Sequence, residues 1–135
     1  MKRSKRQSNS ARKGAAVVEF AVCLPVILLI VFGSIEASSM LFLRQALVQA
    51  SYEGVKTAVK QNGNRERAIE AATAVLDGRS LENFTVEIEP SNVVDLDRGV
   101  PVTITVTAPG NENSLFPFGP FLDQNVVAQA TMVKE

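Results

Sequence analysis

Gly14, Ala15, Glu19 and Phe20 sit where a basic stretch gives way to an apolar run, and their types and spacing are the chain's best material for chemistry. From Ala15 to Ile35 there are 21 residues, and Glu19 is the one charged side chain among them. At ~1.5 Å rise per residue a helix over that run reaches ~30 Å, the thickness of a bilayer's hydrocarbon core. A carboxylate inside such a span is costly and needs a reason to be there. Position alone leaves two readings open. In the first, Glu19 snorkels to the headgroups or pairs with Arg12 or Lys13. In the second, a cut after Gly14 frees an α-amine on Ala15, and Glu19 neutralises it. That amine is about a turn away within one helix, or it belongs to a packed neighbour.

Other chemistry is limited by what the chain lacks. It has no His, so a Ser–His or Cys–His nucleophile pair is excluded and the commonest nitrogen ligand for a metal is missing. One Cys, Cys23, permits no internal disulfide, and its place in the span suits a small apolar packer. No phosphate-binding glycine loop, zinc spacing or basic–aromatic nucleic-acid surface is present. No convergent set of reactive residues suggests an enzyme, a cofactor or a metal centre.

The formal charge of zero hides an asymmetry. Lys2, Arg3, Lys5, Arg6, Arg12 and Lys13 precede Gly14 with no acid among them, whereas residues 36–135 hold eight basic and thirteen acidic side chains. Basic residues flanking a first span favour the cytoplasmic side, so the rest of the chain is expected outside. The basic tail abuts the span directly, so topology explains it better than nucleic acid does. A secretory signal has a similar start but an apolar region of only about 7–15 residues. Ala37-Ser38-Ser39 could serve as a small-residue cleavage site, with a mature start near Met40. A lipoprotein signal would need its Cys at the exit of the run, and Cys23 lies inside it. A retained helix fits the length best. Pro25, about ten residues into the span, is tolerable there because neighbours can satisfy the freed carbonyl.

Gly14 before a small residue, an acid five positions on, Phe20 after it and a basic leader make up the pattern of type IV prepilin processing sites. The string Arg12-Lys-Gly-Ala-Ala-Val-Val-Glu-Phe-Ala-Val-Cys-Leu-Pro25 resembles the start of TadE-like proteins, pseudopilins of the tight-adherence (Flp) pilus system. The similarity continues through Phe32-Gly33-Ser-Ile-Glu36 and from Arg44-Gln45-Ala46-Leu47 to Glu53-Gly54-Val55, covering roughly residues 12–60. Ala128 to Glu135 is similar to that family's last strand. The resemblance implies cleavage between Gly14 and Ala15 by a prepilin peptidase, with Glu19 and Phe20 as subunit or assembly contacts. It implies a minor subunit or assembly factor. Its partners would be other Flp pilus subunits, the inner-membrane assembly platform, membrane lipid and related pseudopilins in homo- or hetero-oligomers. The rival reading is an uncleaved single-pass protein whose outer domain binds a ligand or scaffold at the cell surface.

The elements that must position these residues follow from periodicity. Leu43, Leu47, Ala50, Gly54 and Ala58 recur at helical steps, so the span is expected to continue as an outer helix. Ala46, Ala50, Gly54 and Ala58 form a small-residue ridge, which packs on the chain's own sheet or on another subunit's helix. Asn62-Gly63-Asn64 ends the helix, with Gly63 suited to the left-handed terminal position and Asn64 to capping a second helix. In that helix Ala68, Ile69, Ala72, Val75 and Leu76 form the apolar face, and Gly78 closes it. Phe84, Val86 and Ile88, then Val102, Ile104 and Val106, then Val126, Ala128, Ala130 and Met132 alternate with polar residues as three strands.

The expected fold class is therefore an α+β membrane protein. It has a long N-terminal helix with a membrane-spanning half and an outer half, a second shorter helix, and a small three-stranded antiparallel sheet. Its parts are a basic cytoplasmic leader at 1–14, a transmembrane helix at 15–36 and an extracytoplasmic α+β domain at 37–135. Residues 108–124 form a long connection bearing Phe116, Phe118 and Phe121, either a satellite core or a patch for a partner. Asn92, Asp95 and Asp97 lack a calcium ligand series and read as solvated turn residues.

Overall fold

The structure is a computed structural model that describes residues 5–114 and 124–135, with side chains from Gly14 onward. Its elements in chain order are α1 (Lys5–Val59), α2 (Arg65–Asp77), β1 (Thr85–Glu89), β2 (Pro101–Pro109) and β3 (Asn125–Val133). The chain divides into two compact units, Met1–Ile35 and Glu36–Glu135. The described residues of the first belong to α1, helical through Pro25, and the side chains from Gly14 to Ser34 are all exposed. Gly14–Val59 is long and apolar enough to contain a membrane span. A bilayer would give those exposed Val, Leu, Ile and Phe side chains the apolar surroundings that water denies them.

The second unit is a helix-covered sheet. Its strands run in the order β1-β2-β3, all antiparallel, with Val86 opposite Val106 and Ala128 opposite Val106 on the other side. Val102, Ile104, Val106 and Ala108 are buried while Thr103, Thr105 and Thr107 alternate on the other face. A one-residue slip would turn that whole apolar set to solvent, so the burial of one face fixes the register. Leu43, Leu47, Ala50, Val55 and Ala58 of α1 join Ala68, Ala72 and Leu76 of α2 in the same core. The expected α+β class and three-stranded antiparallel sheet are what the structure shows.

The small-residue ridge packs within the chain. Ala46, Ala50, Gly54 and Ala58 are all buried. A Cβ on Gly54 would come 2.9 Å from Ile104 Cδ1 and 3.2 Å from both Ala68 O and Ala72 Cβ. The ridge is spent on the chain's own β2 and α2, so it is not free to meet another subunit's helix.

Asn64 caps α2 as its type predicts. Its backbone is extended, its Oδ1 accepts from the Arg67 N–H at 2.8 Å, and its carbonyl accepts from Ala68. Gly63 requires a correction. It is not left-handed, because Gly99 is the glycine with positive φ among the described residues. Close approach is the reason for glycine there: a Cβ on Gly63 would lie 2.2 Å from Ala58 O and 2.5 Å from Thr57 O. Gly78, too, closes α2 in right-handed geometry, at φ −61°.

The end of α1 is finished by residues from beyond β3. The last carbonyls of any helix lack intrahelical donors. Here the buried Lys134 Nζ donates to Ala58 O at 3.2 Å and Lys60 O at 3.0 Å, and the Glu135 N–H donates to Val59 O. The ammonium also lies at the negative end of the helix dipole. Lys134→Met keeps the aliphatic stem but strands those carbonyls, and should cost about 2–3 kcal/mol. Denaturant unfolding of the full chain in detergent measures it, and a loss under about 0.5 kcal/mol would contradict the capping role.

Candidate processing and assembly site

Gly14, Ala15, Glu19 and Phe20 all lie on α1 within the unit Met1–Ile35, and all are exposed. Ala15 and Glu19 are four apart, so they share one face of the helix. A carboxylate one turn along from an α-amine at Ala15 can pair with it. The side chains of Arg12 and Lys13, the other proposed partners for Glu19, lie outside the described residues.

Gly14 is not explained by packing. A Cβ there would meet nothing within 4 Å, in contrast to Gly54 and Gly63. Glycine inside a helix costs about 1 kcal/mol relative to alanine. At Gly14 that cost brings no closer contact in the fold. Its weakness as a helix former does ease local unwinding at the Gly14–Ala15 bond, which a peptidase requires to reach an extended backbone.

A second feature opens the unit Glu36–Glu135. Glu36 is only 5% exposed, and the Ser114 hydroxyl lies 2.8 Å from each of its carboxylate oxygens. Beside it, Ala37, Met40, Leu41 and Arg44 of α1 face Gln124–Val127 across an open groove of about 580 Å³. Leu41, Phe42 and Val127 are strongly exposed. No cluster able to hold a metal ion occurs among the described residues, and Asn92 donates through Nδ2 to Asp95. Phe116, Phe118 and Phe121 of the aromatic connection lie outside the described residues. In the turn after β2, Asn113 Nδ2 donates to Glu82 O and Pro109 O, and Asn83 bonds Glu112.

Sequence reasoning passed over Glu36 and Ser114. A signal for the first was present: Glu36, Met40, Leu43 and Leu47 recur at steps of four, three and four, so Glu36 shares the buried stripe of α1. Nothing in the local sequence pointed to Ser114, which meets Glu36 across 78 residues of chain.

A family model starts at the same glycine. Residues 14–56 match the model for TadE-like protein. The TadE-like match begins at Gly14 and ends within α1, so it spans Gly14 to Phe20, the apolar run and most of the rest of α1. It agrees with the resemblance read from residues 12–60. No curated protein and no solved structure matches the chain.

Proposed function

We propose that this chain is a pseudopilin of the tight-adherence (Flp) pilus system, a minor subunit or assembly factor that is cut between Gly14 and Ala15 by a prepilin peptidase. The observation that carries the reading is the TadE-like match beginning at Gly14, on a helix apolar enough to span a bilayer. The TadE-like family is a pilus-associated structural family, and the work inferred for this chain is binding. In this reading residues 1–14 are a cytoplasmic leader, 15–36 cross the inner membrane, and 37–135 form the extracytoplasmic α+β domain. Glu19 neutralises the new α-amine of Ala15, its own or a neighbour's, which removes two isolated charges from lipid at once. Phe20 and Glu19 then contact other pilus subunits or the assembly platform.

The test is the intact mass of the protein purified from its native membrane. A mature chain beginning at Ala15 is expected. A chain beginning at Met1, in cells with active prepilin peptidase, leaves the uncleaved single-pass reading. A start near Met40 would mean signal-peptidase release and would sink both.

A further inference from the structure

The two edges of the sheet are protected to different degrees. The Gly110 N–H donates to Gln124 O and the Lys134 N–H to Val100 O, both continuing the β2–β3 register, so the bonded pairs of that ladder fall on even-numbered residues. The N–H and C=O groups of Asn125, Val127, Gln129, Thr131 and Val133 therefore point away from β2, along the open edge. All five residues are exposed, and among the described residues no backbone bond reaches that row until the Glu135 N–H meets Val59 O. At the opposite edge β1 is short, exposes Glu87 and Glu89, and is followed by Pro90. Shortness, charge and proline are the usual means of keeping an edge from pairing. β3 has none of them: its sequence, NVVAQATMV, holds no charge and no proline.

We infer that the β3 edge takes an added strand, an extended segment of another protein that is uncharged along the contact and bears apolar side chains at every second position. A row of unpaired main-chain groups calls for a partner of the same spacing, which an extended backbone supplies. The side chains of such a strand also have a place to go. Leu41 and Arg44 of α1 border one groove with Val126 and Val127 of β3, and Val48 and Tyr52 follow Arg44 at steps of four along the same flank. Leu41, Val48 and Tyr52 are each about half exposed or more, so that flank is an apolar shelf beside the open edge. Apolar side chains on the inner side of the added strand would cover it. A second copy fits less well. The inward side chains of its β3, Val126, Ala128, Ala130 and Met132, already pack in its own core and cannot fill the shelf. Its β1 would bring Glu87 and Glu89. Edge and shelf both lie within the unit Glu36–Glu135.

The experiment uses the full chain in detergent and a short peptide in which threonine alternates with valine between terminal lysines. Residues directly opposite in a ladder share a face, so with valine on the shelf the threonine N–H groups are the ones that meet β3. Methylating the valine nitrogens should leave binding intact, whereas methylating the threonine nitrogens should abolish it. At saturation, amide exchange at Val127, Gln129 and Thr131 should slow about tenfold or more, with Val86 and Ile88 of β1 unchanged. Gln129→Pro removes the central outward N–H, a change that an edge strand tolerates. It should weaken peptide binding about tenfold and keep the melting temperature.

Equal binding by the two methylated peptides would mean apolar adhesion without strand pairing, and overturns the inference. So does a valine-methylated peptide that fails to bind at up to about 1 mM, or slowing at Val86 and Ile88 as large as that on β3. Exchange already slow at Gln129 without peptide overturns it too. Slowing independent of protein concentration assigns the edge to another part of the same chain, and slowing that grows with concentration assigns it to a second copy. A Gln129→Pro chain that melts normally and binds the peptide as tightly as before removes the main-chain row from recognition.

Discussion

Gly63→Ala should lower the melting temperature of the unit Glu36–Glu135 steeply, although it adds a single methyl group. The new Cβ would lie 2.2 Å from Ala58 O, 2.5 Å from Thr57 O and 2.7 Å from Ala58 C, all of them backbone atoms that no rotamer change can move. Relief requires shifting the last turn of α1, which also carries the carbonyls that Lys134 and Glu135 hold. Overpacking of this kind costs about 3–5 kcal/mol, against a total stability of about 5–15 kcal/mol for a whole domain. A control comes from Gly99, whose φ of +86° sits in open space. Gly99→Ala pays only the left-handed penalty of roughly 1–2 kcal/mol. Thermal melts of the two variants in detergent should separate widely. Equal melting temperatures would show that the close approach at Gly63 does not constrain the fold.

Gly14→Val should have the opposite profile, with maturation lost and stability kept. The space around Gly14 is open, so a valine side chain disturbs no packing, and the nearest consequence is at the bond proposed to be cut. A branched side chain next to that bond displaces the backbone from a peptidase's attacking water. A misplacement of about 1 Å is enough to slow a reaction about 100-fold. Intact mass should then show a start at Met1 where the proposed processing has the unaltered chain start at Ala15, with melting of the unit Glu36–Glu135 unchanged. Processing of Gly14→Val at the ordinary rate would remove Gly14 from recognition, and the site would have to be sought elsewhere on the chain. Glu19→Ala, one turn past the cut, should leave cleavage intact and act later, on the pairing of the new amine.

Much of the fold was legible because its rules are local. The alternation in Val102 to Val106 set both the strand and its buried face, and Asn64 announced a helix start through a side-chain oxygen that can accept from the free N–H groups there. Gly63 was misread because a glycine after asparagine signals a break in the helix without saying whether positive φ or close approach demands it. That depends on where Thr57 and Ala58 turn their carbonyls. Lys134 was overlooked although its parity with Val126, Ala128, Ala130 and Met132 points it inward. Inward lysines are rare, and only the proximity of Ala58 and Lys60 supplies the acceptors that make this one tolerable. The processing motif was visible as types and spacing. The groove beside Arg44 was not, because it joins residues 37–44 to residues 124–127, which no sequence window contains.

The clasp between Lys134 and the final turn of α1 also sets an order of events during biosynthesis. Its partners are separated by 76 and 74 positions, with α2 and all three strands enclosed between them. Such distant closures are slow, and they must wait for both ends. The apolar helix can enter a bilayer as soon as it emerges from the ribosome, but the unit Glu36–Glu135 stays open until residue 134 has been synthesised. A nascent chain of this protein therefore passes through a stage in which its anchor is already committed while its sheet is still unlatched, and chaperones or proteases have their opportunity in that interval.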